Sequence, residues 1–394
     1  MTLSQLAVTV ALLGALGLVA NRFGLSAIPA YITAGLLLGP HEPRILSLIE
    51  PSEVTQFVAE LGVIFLLFFL GIEFSLDRLT RSGRHLGLGG AIDLLANAAL
   101  GLVVGVAAFG FSFGALILAA AIYVSSSAIA VKGLIDFRRL ADDETDLVLA
   151  ILLFEDLVIA LVLGFAAQGG GDATAETLGL AARAIVFVGL ALAASRWLAR
   201  PLDRVLDALP REFFLLFTLA LVVGFAALAD VLGLSEAIGA LMAGVVLAET
   251  SIREVIEERF YSFRDVFGAL FFFTFGLSID VGAIGHVGWL LALAVVLTIV
   301  GKVGGAIAAG VAGGFSPRQG LNAGTALVAH GEFTIVLAQL AAGNNALPAD
   351  QRAEFVAFAG LYVLATATVG VILMKESKAI GRLLFPPPEL VEVA

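Results

Sequence analysis

Apolar runs long enough to cross a lipid bilayer occur repeatedly along the whole chain, and this pattern constrains the fold more than any other feature. Polar residues, prolines and glycines separate thirteen such runs. About twenty apolar residues span the hydrocarbon core as a helix, which satisfies its own backbone hydrogen-bonding groups there. The sequence therefore predicts an all-α polytopic membrane protein with about thirteen transmembrane helices. The predicted spans are residues 3–20, 26–40, 56–74, 86–110, 112–134, 144–167, 177–199, 212–231, 235–250, 260–279, 286–310, 317–343 and 353–375.

Composition supports this class and excludes others. Hydrophobic residues make up 60% of the chain and charged residues only 14%, whereas soluble domains carry about 25% charged residues. Because the chain has no cysteine, disulfides, thiolate metal sites and cysteine nucleophiles are excluded. A net charge of −11 argues against a nucleic-acid partner. Histidine and glutamate do not occur at zinc-ligand spacing on one helix, so we expect no cofactor and no resident metal.

The distribution of lysine and arginine tests this layout, because cytoplasmic loops of membrane proteins carry an excess of both residues. With an outside N-terminus, eighteen of the 22 basic residues fall in inner loops or the C-terminal tail. Only Arg44 and Arg352 fall in outer loops, while Arg183 and Lys302 lie within spans. This asymmetry predicts a plasma-membrane protein with its N-terminus outside and its C-terminus in the cytoplasm.

Two parts of the chain are related by an internal repeat. Residues 24–38 and 233–247 share six identities at one offset of 209 residues. The third and tenth spans align at an offset of 205, which pairs Gly71 with Gly276. Because the second and ninth spans enter the membrane from opposite sides, the two copies are inverted. Inverted repeats support two related conformations around a midplane site, which is typical of transporters.

Two adjacent carboxyl groups, Glu155 and Asp156, lie in the middle of the apolar run 147–165. Each costs roughly 2.5 kcal/mol or more at membrane depth, so such groups are kept where an ion or a proton needs them. Neighbouring helix residues point about 100° apart, so one carboxyl can line a cavity while the other faces a packed helix. Carboxylate oxygens suit small, hard cations. Competition between a proton and a cation for one carboxylate predicts antiport.

Two of the predicted spans have the features of helices that break at membrane depth. Span 5 contains three consecutive hydroxyls, Ser125, Ser126 and Ser127, which can compete for backbone partners. Span 12 contains GTALVAHGEF at residues 324–333, where two glycines flank polar groups that begin with Thr325. Half-helix ends and unwound carbonyls can bind charge. The alternative is that each hydroxyl bonds back to its own helix.

Lys302 in span 11 is a further charge at membrane depth, and Asp93 in span 4 is its counterpart at the 209-residue offset. A buried lysine needs a partner. Glu155 is the natural candidate, which leaves Asp156 to the ion, unless Lys302 extends to the inner face. Asp93 is either a polar group in helix packing or a direct ligand.

The remaining polar residues leave alternatives open. His330 and Glu332 in span 12 are either proton-relay or gating groups or polar contacts that brace the broken helix. A cation channel needs a continuous pore or filter, and no candidate filter stands out. An intramembrane aspartyl protease would need Asp93 and Asp156 to converge on one water molecule. We therefore expect a transporter and not an enzyme.

Taken together, these motifs resemble the monovalent cation:proton antiporter superfamily, which has the sodium/proton exchanger fold, and within it the Kef-like potassium/proton branch. The resemblance covers essentially the whole chain, and its motifs are specific as a set. They are GLSAIPAYITAGLLLGP (24–40), FFLGIEFSLDRL (68–79), VSSSAIAVKGL (124–134), LLFEDLVIA (152–160), GLSEAIGALMAGVVLAET (233–250), FFFTFGLSID (271–280) and HGEFTIVL (330–337).

The resemblance implies a homodimer whose transmembrane antiporter domain covers residues 1–385 and has two parts. The dimerisation part is roughly 1–80 and 177–280. The ion-transporting core is roughly 86–167 and 286–375, and it contains the crossed broken helices, spans 5 and 12. By motif position, Asp156 matches the essential ion- and proton-binding aspartate. Ser125 to Ser127 match the unwound segment beside it, and Lys302 matches the basic residue of the core.

The chain departs from the Kef-like pattern in two places. Kef-like proteins usually have glutamine before the aspartate and electrogenic sodium-selective members have aspartate, whereas this chain has Glu155. Potassium is favoured, but sodium remains the alternative and the stoichiometry is open. Kef proteins continue into a cytoplasmic nucleotide-binding domain. Here a short cytoplasmic tail, 386–394, carries no G-x-G-x-x-G motif, so regulation is absent, removed by truncation, or supplied by a separate cytoplasmic subunit.

Overall fold

The computed structural model of the protein describes residues 3–23, 26–41, 48–73, 85–139, 141–166, 175–234, 236–282, 285, 288–343 and 347–385. Several residues used in the sequence analysis lie outside these ranges. They are Gly24 and Leu25 of the repeat, Ser235 of the repeat, the basic residues Arg44, Arg78, Arg81 and Arg84, and the tail 386–394.

The described residues form fifteen α-helices and no β-strand. A single π-helical turn, His85–Gly89, leads into the fourth helix. The helices are α1 (Leu3–Arg22), α2 (Ala27–Leu38), α3 (Glu53–Glu73), α4 (Gly90–Phe109), α5 (Phe113–Tyr123), α6 (Ser127–Asp136), α7 (Thr145–Ala166), α8 (Ala175–Ala208), α9 (Arg211–Val231), α10 (Glu236–Ala248), α11 (Arg253–Ser278), α12 (Gly288–Gly313), α13 (Pro317–Ala326), α14 (Glu332–Gly343) and α15 (Ala349–Leu384).

Thirteen spans and fifteen helices are compatible because two of the spans are broken. Span 5 consists of α5 and α6, and span 12 consists of α13 and α14. The predicted all-α fold with two broken helices is confirmed. Within the described part of the chain, eight helices are long and apolar enough to cross a membrane, and three further apolar helices are shorter. The protein is therefore a multi-pass membrane protein.

Several helices extend beyond the apolar runs from which they were predicted. The 36 residues of α15 reach about 54 Å at 1.5 Å per residue, whereas the hydrocarbon core is about 30 Å thick. Helix α11 begins at Arg253, before the predicted span starts at residue 260. Its polar first turn is supported by an ion pair between Arg253 and Glu257, 2.7 Å apart. Hydropathy therefore marks the lipid-embedded part of a helix and not its full length.

Two helix crossings at glycines show the inverted repeat in three dimensions. Gly35 of α2 packs against α11, where a Cβ atom at this position would meet the backbone oxygen of Phe273 and lie 2.8 Å from the Cα of Gly276. Such distances are too short for any side chain. Only glycine allows the two backbones to come this close.

The same crossing occurs a second time between α10 and α3. Gly244 is the repeat equivalent of Gly35, and a Cβ there would meet the backbone oxygen of Phe68 and lie 2.8 Å from the Cα of Gly71. Phe68 and Gly71 are the equivalents of the phenylalanine and glycine that Gly35 meets on α11. Equivalent residues thus make equivalent contacts in both copies, and the predicted inverted repeat is confirmed.

This geometry predicts the effect of adding a methyl group at one crossing. Gly244→Ala places a Cβ against the backbone of α3, and we expect overpacking to destabilise the protein by about 1–3 kcal/mol. Gly224→Ala on α9 is the matched control, because nothing lies within 4 Å of that position. The control should be neutral or stabilising by up to about 1 kcal/mol. Thermal unfolding midpoints in one detergent measure both, and equal midpoints would contradict the crossing.

The remaining helices place the two breaks at the centre of the protein. Helices α2, α3, α10 and α11 pack on one another, while α4 to α7 and α12 to α15 pack around the breaks. The division into a dimerisation part and a transporting core stays a prediction, but the breaks and the intramembrane charges lie within the second group of helices.

Candidate functional site

The two unwound segments bond to each other where the broken helices cross. Residues 124–126 separate α5 from α6, and residues 327–331 separate α13 from α14. The backbone N–H of Ser126 donates to the carbonyl oxygen of Ala329 at 2.8 Å. The hydroxyl oxygen of Ser125 lies 2.8 Å from the carbonyl oxygen of Leu327 and 3.0 Å from Oε1 of Glu155, so its one proton is shared between two acceptors. Each unwound segment therefore supplies hydrogen-bond partners for backbone groups of the other segment, which have no partner within a helix.

The unwound part of span 5, residues 124–126, begins and ends one residue earlier than the resemblance implied. Ser127 was expected in the unwound segment, but it is the first residue of α6. The side chain of Ser126 accepts a hydrogen bond from the backbone N–H of Ile129 and so caps this helix. An N-cap hydroxyl satisfies one of the free N–H groups of the first turn. The helix can therefore begin directly after Ser126.

Each of the three consecutive serines donates to a different buried carboxylate. These carboxylates belong to α7 and α14, so the serines join both helices to the break. The hydroxyl–oxygen distances are 3.0 Å for Ser125 to Glu155, 3.0 Å for Ser126 to Glu332, and 3.3 Å for Ser127 to either oxygen of Asp156.

Lys302 lies between two carboxylates in the interior. Its Nζ is 2.6 Å from Oε1 of Glu155 and 3.1 Å from Oδ2 of Asp93, and all three side chains are fully buried. Lys302 therefore does not extend to the inner face. Asp93 also accepts a hydrogen bond of 2.8 Å from the amide of Asn97, and Lys302 lies 5.1 Å from the ring centre of Tyr123.

The contact between Lys302 and Asp93 joins two positions that the repeat makes equivalent. Both lie where α4 and α12 cross, and Gly305 and Ala96, another pair at the 209-residue offset, also meet there. Helices related by a twofold axis contact each other through equivalent residues on that axis. The charge cluster is therefore centred on the axis that relates the two halves of the protein.

The two adjacent carboxyls of α7 have different surroundings. Glu155 is fully buried and in contact with Lys302 and Ser125, whereas Asp156 keeps 7% of its surface exposed beside the Ser127 hydroxyl. This difference matches the geometry of neighbouring helix positions. A carboxylate with a hydroxyl oxygen beside it can bind a proton or a small cation.

Thr325 and His330, two of the other predicted site residues, are in hydrogen-bond contact with backbone carbonyls. Thr325 donates to the carbonyl oxygen of Asn322 at 2.9 Å. Its hydroxyl thus bonds back to its own helix, which was the alternative given for these polar residues. The ring nitrogens of His330 lie 2.9 Å and 2.7 Å from the carbonyl oxygens of Val328 and Ile122. His330 thus joins the end of α5 to the break in span 12, which is the bracing geometry.

Sequence reasoning missed several polar partners of this site. Asn97 follows Asp93 by one helical turn, and that spacing within an apolar span was a usable signal. Tyr362 and Thr298, whose hydroxyl oxygens are 2.5 Å apart, approach His330 from α15 and α12. The sequence contained no comparable signal for them, because their contact joins helices far apart along the chain.

Comparison with known proteins connects this architecture to a family. The family model described as sodium/hydrogen exchanger, transmembrane, matches residues 8–375. The K(+)/H(+) antiporter subunit KhtU of Bacillus subtilis (strain 168) is 41% identical over 374 residues, which cover 93% of this chain and 91% of KhtU. The ammonium/H(+) antiporter subunit AmhT of Alkalihalophilus pseudofirmus is 29% identical over 370 residues, covering 93% and 90%.

A solved structure has the same fold. The sodium proton antiporter MjNhaP1 from Methanocaldococcus jannaschii at pH 8 superposes with a TM-score of 0.74 and covers 98% of each chain, at 14% sequence identity. At that identity the likeness concerns the fold alone. The family match along the chain and the identity to KhtU go further: this chain belongs to the sodium/hydrogen exchanger family, whose members are membrane antiporters and not enzymes.

Proposed function

We propose that this chain exchanges a monovalent cation, with potassium favoured, for protons at Asp156 by alternating access. One observation carries the proposal. Asp156 keeps a small exposed surface beside Ser127, while its neighbour Glu155 is buried in contact with Lys302. We assign exchange to the less buried carboxylate of the pair, which lies beside the first residue of α6 at the break in span 5.

The proposed mechanism needs no chemical reaction and no cofactor. A cation or a proton neutralises Asp156, and the neutralised core changes the side to which the site is open. The empty, charged carboxylate is held back, because moving an uncompensated charge through a low-dielectric region is costly. Competition for one carboxylate then couples the two fluxes in opposite directions. Ser127 supplies a hydroxyl oxygen next to that carboxylate.

The choice of ion is supported by the relatives and not by the geometry. KhtU, with which this chain shares 41% identity, is a K(+)/H(+) antiporter subunit, and AmhT is an ammonium/H(+) antiporter subunit. Potassium is therefore placed first. Sodium is the alternative within the same fold, and Glu155, where Kef-like proteins have glutamine, is the residue most able to alter the choice.

The proposal also covers the setting of the transporter. We place it in the plasma membrane with its N-terminus outside and its C-terminus in the cytoplasm, on the evidence of the basic loops. Homodimer formation through residues 1–80 and 177–280 follows from the resemblance. Both curated relatives are named as antiporter subunits, which supports a separate cytoplasmic regulatory subunit as a partner.

Exchange in proteoliposomes tests the function directly. A potassium gradient directed out of the vesicles should drive proton uptake, reported by a pH-sensitive dye inside. The same assay with sodium, rubidium and lithium ranks the ions. Potassium flux without proton movement would instead indicate a cation channel, and exchange with sodium alone would overturn the choice of potassium.

The contact between Glu155 and Lys302 predicts electroneutral exchange. If this pair stays closed, only Asp156 changes its occupancy, so one cation moves for one proton. Flux should then be the same at zero potential and at a potential clamped with an ionophore for an ion that is not transported. A flux that increases with potential would mean that more than one proton moves per cation and that Glu155 also titrates.

A further inference from the structure

A third buried carboxylate, Glu332, lies at the crossing of the broken helices, and the proposed exchange mechanism does not use it. It is the first residue of α14 and is 9% exposed. Its Oε2 accepts the hydrogen bond from the hydroxyl of Ser126 at 3.0 Å. No ion pair joins it to a lysine or arginine among the described residues. Its position in the first helical turn stabilises a negative charge.

Ser126 makes three hydrogen bonds, and two of them connect Glu332 to the first turn of α6. Its hydroxyl donates to Glu332 and accepts from the backbone N–H of Ile129. Its own backbone N–H donates to the carbonyl oxygen of Ala329 at 2.8 Å. Ser126 therefore links the first residue of α14 to the start of α6. The next residue, Ser127, is the one whose hydroxyl contacts Asp156.

The close approach of the two breaks depends on Gly331, which immediately precedes Glu332. A Cβ atom at Gly331 would lie 2.6 Å from Oγ of Ser126 and 2.8 Å from its Cβ. Any other residue would therefore push Ser126 away from the break in span 12. Gly331 offers a way to disturb this contact without removing the carboxylate.

We propose that Glu332 is a positioning residue for the exchange site. Through Ser126 it fixes the N-terminal end of α6, and so it holds the Ser127 hydroxyl at the distance from Asp156 that suits a bound cation. The inference rests on the proposed exchange at Asp156 and adds a residue whose hydrogen bond goes to Ser126, the residue before Ser127. Glu332 acts on the apparent affinity for the cation and carries neither ion itself.

A double-mutant cycle of three variants, together with one conservative variant, tests this role with potassium in proteoliposomes. Glu332→Ala and Ser126→Ala each remove the hydrogen bond between these two side chains, so each should raise the apparent KM for potassium about tenfold and leave the maximal rate unchanged. The double variant should be no worse than either single variant, because the two residues act as one unit. Glu332→Gln keeps an oxygen that accepts from Ser126 and should restore a KM near that of the wild type.

Independent variants keep the test decisive. Gly331→Ala displaces Ser126 while the carboxylate remains, so it should raise the KM in the same direction, even if Glu332→Ala does not fold. Asp136→Ala, at the exposed end of α6, should leave the KM unchanged. Loss of exchange in Glu332→Gln would make Glu332 a transporting group, and additive single effects or an unchanged KM in Glu332→Ala would also overturn the inference. If the wild type exchanges potassium for protons and Asp156→Asn does not, the proposed function stands, whatever the result for Glu332.

Discussion

Asp156→Asn is expected to reduce proton-coupled cation exchange to the background of empty liposomes. Asparagine has nearly the shape of aspartate and can still accept a hydrogen bond from Ser127, but it has no charge and cannot exchange a proton. The substitution therefore removes the competition on which coupling depends. Because the two side chains have nearly the same shape, the variant should still fold.

A binding measurement distinguishes loss of the cation site from loss of the folded protein. A ligand that binds only the folded state raises the unfolding temperature, so potassium should raise the midpoint of the wild type and leave that of Asp156→Asn unchanged. Asp136→Asn is the control, because this carboxylate lies on the exposed end of α6 next to Lys132. It should exchange ions like the wild type. Undiminished exchange in Asp156→Asn would refute the proposed site.

Much of the fold could be predicted from sequence because the bilayer imposes it. Lipid requires apolar segments of fixed length that satisfy their own backbone groups, so the spans could be marked without a structure. The two breaks were also visible, since the serines of span 5 and the glycines of span 12 are poor material for a continuous helix. Helix ends outside the membrane were not visible, because the C-terminal part of α15 continues in polar residues that hydropathy treats as a loop.

Only those contacts of the site that follow from charge or from local spacing could be predicted from the sequence. An intramembrane lysine needs a carboxylate, so a contact of Lys302 with Glu155 could be inferred from charge. The sequence did not decide whether Asp93 contacts Lys302 or is only a polar group in helix packing. Ser126 binds Glu332, which lies 206 residues away along the chain. That pairing depends on how two unwound segments cross, and no periodicity within either span encodes it.

Lys302→Met is expected to be the most destabilising of the substitutions considered for this protein. Lys302 is fully buried between Glu155 and Asp93, and its removal leaves two like charges facing each other without a cation. Breaking a buried ion pair by removing one partner costs about 3–5 kcal/mol. The variant should unfold at a much lower temperature than the wild type in the same detergent, or fail to accumulate in the membrane.

Two comparisons show whether this loss arises from uncompensated charge. Lys132→Met removes a lysine that is 2.8 Å from Asp136, but this pair is 42% and 34% exposed and so contributes at most about 1 kcal/mol. Neutralising the whole buried cluster, with Glu155→Gln and Asp93→Asn added to Lys302→Met, should recover most of the lost stability, because no unpaired charge remains. If the triple variant is no more stable than Lys302→Met, the lysine acts through packing, and charge compensation at the repeat axis is refuted.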